Sequence, residues 1–166
     1  LMQAYNFASP DDAMPKAKSY TEKAKEKKVM IHLPLDVVCG DEFSNEANTK
    51  VSEINNIPDG WEGMDAGPKS IKAFDRVISM SKTILWNGPV GVFEFDKFSK
   101  GTIALGESIS KSTKNGSFSL VGGGDSVAAV KKFNFENKVS YVSTGGGAML
   151  ESLEGKILPG IKALMS

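Results

Sequence analysis

Arginine, histidine and cysteine are all but missing from this sequence: Arg76, His32 and Cys39 each stand alone among 166 residues. The lone Cys39 excludes an internal disulfide and fits a reducing compartment. A single histidine removes any paired-histidine metal site, and His32 reads as a core or surface residue before it reads as a catalytic one. Arginine is the usual bidentate clamp for phosphate and carboxylate groups. If the substrate is a phosphorylated acid, most of its anchor is expected outside this chain, because Arg76 alone could supply it here. No run approaches the roughly 20 apolar residues of a membrane span. The 20 basic residues cancel 20 acidic ones, so no net field draws the chain to nucleic acid or membrane. Signal-peptide pattern and initiator methionine are both absent, and the chain reads as the C-terminal piece of a longer protein.

What the sequence does have is one arrangement used three times, in which an apolar run breaks at a glycine cluster and a helix-like run follows. The instances are Thr83–Trp86 into Asn87-Gly88-Pro89-Val90-Gly91, Phe118–Val121 into Gly122-Gly123-Gly124-Asp125, and Val139–Val142 into Thr144-Gly145-Gly146-Gly147. A strand–glycine–helix junction presents free backbone N–H groups at a positive helix end, which favours phosphate. In a parallel sheet all such junctions fall on one edge, where ligands bind.

The order of elements supports that sheet. Ser9-Pro10-Asp11-Asp12 marks a helix start, and 13–28 is rich in alanine, lysine and glutamate, a solvated helix face. The first nine residues enter no element. Val29–Leu33 reads as a buried strand stopped by Pro34, Asp36–Cys39 is a candidate second strand, and 41–60 reads as a long polar excursion. Gly67-Pro68 opens a helix over Lys69–Ser81, with Ile71, Phe74, Val77 and Ile78 at helical spacing. Strand 83–86, helix 97–114, strand 117–121, helix 125–133, strand 139–143 and helix 147–154 then alternate. This pattern predicts right-handed βαβ units and a parallel sheet with helices on both faces and strands buried on both sides. In the tail, 155–166, Ile157, Leu158, Ile161, Leu164 and Met165 form an apolar stripe without an evident partner.

Gly63–Ser70, GMDAGPKS, nearly imitates a phosphate-binding loop. It has three residues rather than four between its glycines, and Pro68 precedes Lys69, so it reads instead as the end of a loop and the start of a helix. No G-x-G-x-x-G is present. Asp125 can cap a helix or hold Mg²⁺, and taken alone capping is the plainer reading. Trp86–Glu94 combines a Gly-Pro turn, an amide, apolar residues fit for an aromatic base and a carboxylate suited to ribose hydroxyls.

These residues carry a resemblance. IPDGWEGMDAGPKSI at 57–71, ILWNGPVGVFEF at 84–95, GT at 101–102, VGGGDS at 121–126 and VSTGGGAMLESLEGKILPGI at 142–161 resemble the C-terminal, nucleotide-binding portion of phosphoglycerate kinase, in family order and spacing. The resemblance implies a Rossmann-like three-layer αβα fold, here a partial domain of a two-domain kinase. Residues 1–154 would be the nucleotide domain without its first elements, and 155–166 a tail that docks on an N-terminal domain.

The roles it implies follow the same positions. Gly63 and Met64 would line the adenine pocket, with methionine where the family usually has leucine. Asn87 would reach the phosphates, Gly88, Pro89, Val90 and Val92 would wall base and sugar with Phe93 behind them, and Glu94 would bind ribose. Gly123, Gly124 and the N–H of Ser126 would hold the outer phosphates. Asp125 would be the Mg²⁺ ligand, which overrides the capping reading. Gly124, Gly145, Gly146 and Gly147 would stabilise the transferring phosphoryl group.

The departures are Ser126 for threonine, Tyr141 for histidine and Met149 for a small residue. The basic patch, catalytic arginine and lysine-bearing loop of the family have no counterpart here. The implied partners are ADP or ATP and, chiefly through the other domain, 3-phosphoglycerate or 1,3-bisphosphoglycerate. The whole enzyme would be a cytoplasmic monomer, and these residues alone inactive. A binding module without turnover and an inert structural piece are the competing readings.

Overall fold

The computed structural model describes residues 10–165, with side chains from residue 14 onward. The described chain divides into two compact units, the first ending at Leu33 and the second starting at Pro34. The expectation for the first nine residues lies outside the described residues.

The first unit holds α1, Pro10–Glu26. Its lysines and glutamates are exposed, as a solvated helix requires. It ends in a turn that glycine usually occupies: Lys28 has φ 55°, while Lys28 N–H donates to Lys25 and Val29 N–H to Ala24. The strand expected at Val29–Leu33 does not form. Met30 is 80% and Leu33 63% exposed, and no described strand pairs with this run. An apolar run becomes a strand only where a neighbour takes up its backbone groups.

The second unit opens with an antiparallel sheet of which the sequence reading had only the first strand, expected at Asp36–Cys39. β1 (Asp36–Gly40) lies between β2 (Thr49–Glu53) and β3 (Glu62–Ala66). The polar excursion expected over 41–60 thus contains a strand. β2 carries one apolar residue, Val51, itself exposed, so pairing with β1 and not burial defines it. Glycine and aspartate in β3 hide the other strand from any propensity argument. A small core of Ala47, Met64 and Phe98 forms beside this sheet, with Val38, Val92 and Phe95 around it.

α2 runs over Pro68–Met80 with Pro68 in its first turn, as expected. The parallel sheet follows: β4 (Thr83–Trp86), β5 (Phe118–Val121) and β6 (Tyr141–Val142), in that order. α3 (Lys100–Lys114) connects β4 to β5, and α4 (Gly124–Lys132) connects β5 to β6. α5 (Gly146–Leu153) and α6 (Pro159–Leu164) close the chain. Residues Asp96–Phe98 form a separate 3₁₀ turn, so the helix expected from 97 starts at Lys100.

The α/β class with a parallel sheet is as expected. Ile84, Trp86 and Val121 point to one face, where Ile109 of α3, Val130 of α4 and Phe135 pack on them. Gly106 is needed there, because a Cβ on it would lie 2.3 Å from the Phe135 ring. The strands alternate instead of being buried on both sides: Leu85 and Phe118 are 43% and 52% exposed, and Tyr141 is exposed too. β6 is shorter than expected because hydroxyls replace ladder carbonyls at its start. Ser119 N–H donates to Ser140 Oγ and Ser140 N–H to Ser119 Oγ, at 3.1 and 3.0 Å.

Candidate functional site

All three glycine junctions leave the parallel sheet at the carboxyl ends of β4, β5 and β6, and they touch. Trp86 Nε1–H donates to Gly88 O at 2.9 Å and pins the turn after β4. Gly88 N–H donates to the buried Ser126 hydroxyl at 2.5 Å, tying that turn to the first turn of α4. Gly123 has φ 93°, and Asn87 Oδ1 lies 2.6 Å from where its Cβ would stand. A Cβ on Gly146 would lie 2.3 Å from Gly123 N, so the start of α5 rests on the second loop. Met149, one of the departures noted above, fills the space over Gly122.

The glycines are therefore of two kinds. Gly122, Gly123 and Gly146 make room for neighbouring backbone and side chains, whereas Gly124, Gly145 and Gly147 have open space where a side chain would be. Glycines of the latter kind are exposed at the edge.

Asp125 is exposed in the first turn of α4, whose N-cap is Gly123 and has no side-chain cap bond. The capping reading of Asp125 is thus not what the structure shows, and its carboxylate has no hydrogen-bond or ion-pair partner among the described residues. Among the described residues no group of three or more His, Cys, Asp or Glu could hold a metal. An ion here would rest on one carboxylate, with the remaining oxygens from phosphates and water, the usual arrangement for Mg²⁺ beside phosphate.

The other half of the edge is the loop from Gly88 to Glu94. Pro89 and Val90 are half-buried, Glu94 is exposed, and Phe93 is buried edge-on against Phe133 with ring centres 6.4 Å apart. Val92 N–H donates to Met64 O at 2.8 Å, which straps the loop to β3. Gly63 is exposed at the start of β3, whereas the Met64 side chain is buried in the small core. Two residues that the sequence reading passed over stand beside this loop, Lys132 bonded to it and Asp65 packed against Gly91. Lys132 Nζ donates to Phe93 O and Glu94 O at 2.9 and 3.1 Å, from the last turn of α4. Asp65, buried in β3, receives Ala66 N–H and Gly101 N–H at 2.9 and 2.7 Å. The sequence offers no local sign of either role, since the atoms they meet in α3 and in the loop are distant along the chain.

A cavity of about 510 Å³ opens elsewhere, lined by Ser110, Lys111, Thr113, Lys114 and Lys138 among others. Lys111 and Lys114 stand in the last turn of α3, where cations complement helix carbonyls.

Fold and site together define an α/β protein whose three glycine junctions meet at the carboxyl ends of parallel strands. Residues 3–156 match the Phosphoglycerate kinase family. The chain belongs to the phosphoglycerate kinase family. It is 58% identical over 154 residues to phosphoglycerate kinase from Porphyromonas gingivalis, covering 93% of this chain and 37% of that protein. It is 53% identical to phosphoglycerate kinase 3, cytosolic, from Arabidopsis thaliana, with 93% and 38% covered. The structure of phosphoglycerate kinase from Coxiella burnetii superposes with a TM-score of 0.85 at 46% identity, over 91% of this chain and 38% of that one. The chain spans a little over a third of the length of these relatives.

Proposed function

We propose that this chain holds the Mg-nucleotide half of a phosphoglycerate kinase site. The whole enzyme moves a phosphoryl group from 1,3-bisphosphoglycerate to ADP, giving 3-phosphoglycerate and ATP. The observation that carries the reading is the meeting of three glycine junctions at one edge, with Asn87 over Gly123 and Gly146 against it.

In this reading Gly63 and Met64, the latter through its backbone, border the base together with Gly88, Pro89, Val90 and Val92, and Phe93 supports the wall from behind. Glu94 takes the ribose hydroxyls. Asn87, Gly123, Gly124 and the Ser126 N–H reach the phosphates. Asp125 would hold Mg²⁺, which would supply positive charge against the phosphates. Gly124, Gly145, Gly146 and Gly147 turn backbone N–H groups toward the oxygens of the group in transfer. In the direction of ATP use, the attacking carboxylate is already ionised, so the scarcity of histidine and cysteine is no obstacle.

Binding of the phosphoglycerate falls to arginine-rich surface outside these residues, since Arg76 sits on α2 and not at the glycine edge. The tail fits the same view. Ile157, Leu164 and Met165 are 63%, 89% and 73% exposed, and we propose that they dock on the N-terminal domain of the whole enzyme. Amides of 157–165 that exchange slowly in the monomeric chain would contradict this docking. The proposed setting is the cytoplasm; no described helix is long and apolar enough to cross a membrane.

A coupled assay with ATP, Mg²⁺ and 3-phosphoglycerate tests the division of labour. The 166-residue chain should turn over at a small fraction of a full-length enzyme's rate. Turnover within tenfold of full length would sink that division.

A further inference from the structure

Asp65 has no place in the roles above, yet three segments close on its carboxylate. Oδ1 receives the N–H of Ala66, and Oδ2 receives the N–H of Gly101 in the first turn of α3 at 2.7 Å. A Cβ on Gly91 would lie 2.1 Å from Oδ1, and one on Gly101 2.3 Å from it. The carboxylate thus occupies a notch that exists only because both positions are glycine. One residue on either side of these contacts, Val92 N–H donates to Met64 O.

We propose that Asp65 is a positioning residue that holds the Gly91–Glu94 loop against the Gly63–Met64 strand and so sets the width of the slot between them. This rests on the nucleotide reading, in which those two segments face the base and ribose. Lys132 anchors the same loop from α4 through Phe93 O and Glu94 O. The loop is therefore held from both sides, and on the β3 side the buried Asp65 carboxylate packs against Gly91 next to the Val92–Met64 bond.

A carboxylate there carries a signature that packing alone would not. Burial raises its pKa to about 6, against the opposing pull of the Gly101 and Ala66 N–H groups and the Lys100 charge. Lys100 at the start of α3 is the charged group acting on it; β1 contributes Val38 opposite Asp65 and no charge at that register. Protonation turns one acceptor oxygen into a donor facing an N–H group. The Gly101 and Ala66 amide resonances should then titrate together with a midpoint near 6, while the parallel sheet stays silent.

The test compares the 166-residue chain with Asp65→Asn at pH 7.5. Amide exchange at Val92 and Phe95 should rise at least tenfold, exchange at Leu120 and Val121 should hold, and Mg-ADP affinity by calorimetry should fall about tenfold. Should Asp65→Asn not fold, Gly91→Ala displaces the loop with the carboxylate intact and should give the same selective rise. Unchanged exchange at Val92, or an equal rise throughout the unit, overturns the proposal. A selective rise with unchanged Mg-ADP affinity overturns the link to the slot. If the unsubstituted chain binds no Mg-ADP, the nucleotide reading of this chain fails, and the exchange pattern and the titration of Gly101 still decide whether Asp65 holds the loop.

Discussion

Asp36 and Ser70 tie β1 to the first turn of α2 by bonds that run in both directions. Ser70 N–H donates to Asp36 Oδ1 at 2.8 Å, and Asp36 N–H donates back to Ser70 Oγ at 3.0 Å. The same hydroxyl receives Leu35 N–H and stands 2.6 Å from Asp36 O. Both side chains are fully buried, and Gly67 leaves room because a Cβ there would lie 2.4 Å from the Asp36 carboxyl carbon. Ser70→Ala strands two backbone N–H groups, so it should destabilise the chain by roughly 2–3 kcal/mol in urea titrations. A loss below about 0.5 kcal/mol would mean that these bonds are replaced by water.

The two buried aspartates should pull stability in opposite directions with pH. For Asp36, burial pushes the pKa up, but the N–H groups of Lys69 and Ser70, the Ser70 hydroxyl and the Lys69 charge outweigh it and leave the pKa below 3.8. Its contribution is present above that value and is lost as pH falls through the lower folded pKa. For Asp65 the folded pKa of about 6 lies above 3.8. Between those values the folded chain holds a proton that the unfolded chain has released, so stability falls as pH rises from about 4 to 6. Denaturation midpoints of the chain and of Asp65→Asn, followed from pH 4 to 8, should diverge across that window. Parallel curves would contradict the assignment.

Adjacent glycines at the start of α5 should respond with opposite sign. Gly146→Ala puts a methyl group against Gly123 N and should cost about 1–3 kcal/mol. Gly147→Ala enters open space inside the helix and should stabilise by roughly 0.5–1 kcal/mol. Thermal melts of the two variants separate them, and equal effects would argue against the contact between the third junction and the second.

The parallel half of the fold was legible because its signals are local and redundant. Trp86, Val121 and Val142 end apolar runs, and glycine follows each within a few residues. The antiparallel sheet was not, since β2 and β3 are built from Thr, Lys, Glu, Gly and Asp, and owe their form to pairing with β1. Val29–Leu33 failed in the reverse sense: its composition is that of a strand, but its backbone has no partner strand among the described residues. At the site, motif residues such as Asn87 and Asp125 were visible from sequence. Asp65 and Lys132 were not, because each acts on backbone atoms distant in sequence, and only the fold brings those atoms near.

The central claim is that the edge formed by three glycine junctions holds Mg-nucleotide. Amide chemical-shift mapping of the 166-residue chain during a Mg-ADP titration tests it most directly, with Asp125→Ala alongside. Shifts should concentrate in residues 63–64, 87–94, 122–126 and 145–147. Asp125→Ala should weaken Mg-ADP by roughly 1.5–3 kcal/mol, the scale of a lost charged partner, and leave metal-free ADP much less affected. Shifts that fall outside these segments, or an equal loss for ADP with and without metal, would contradict the account.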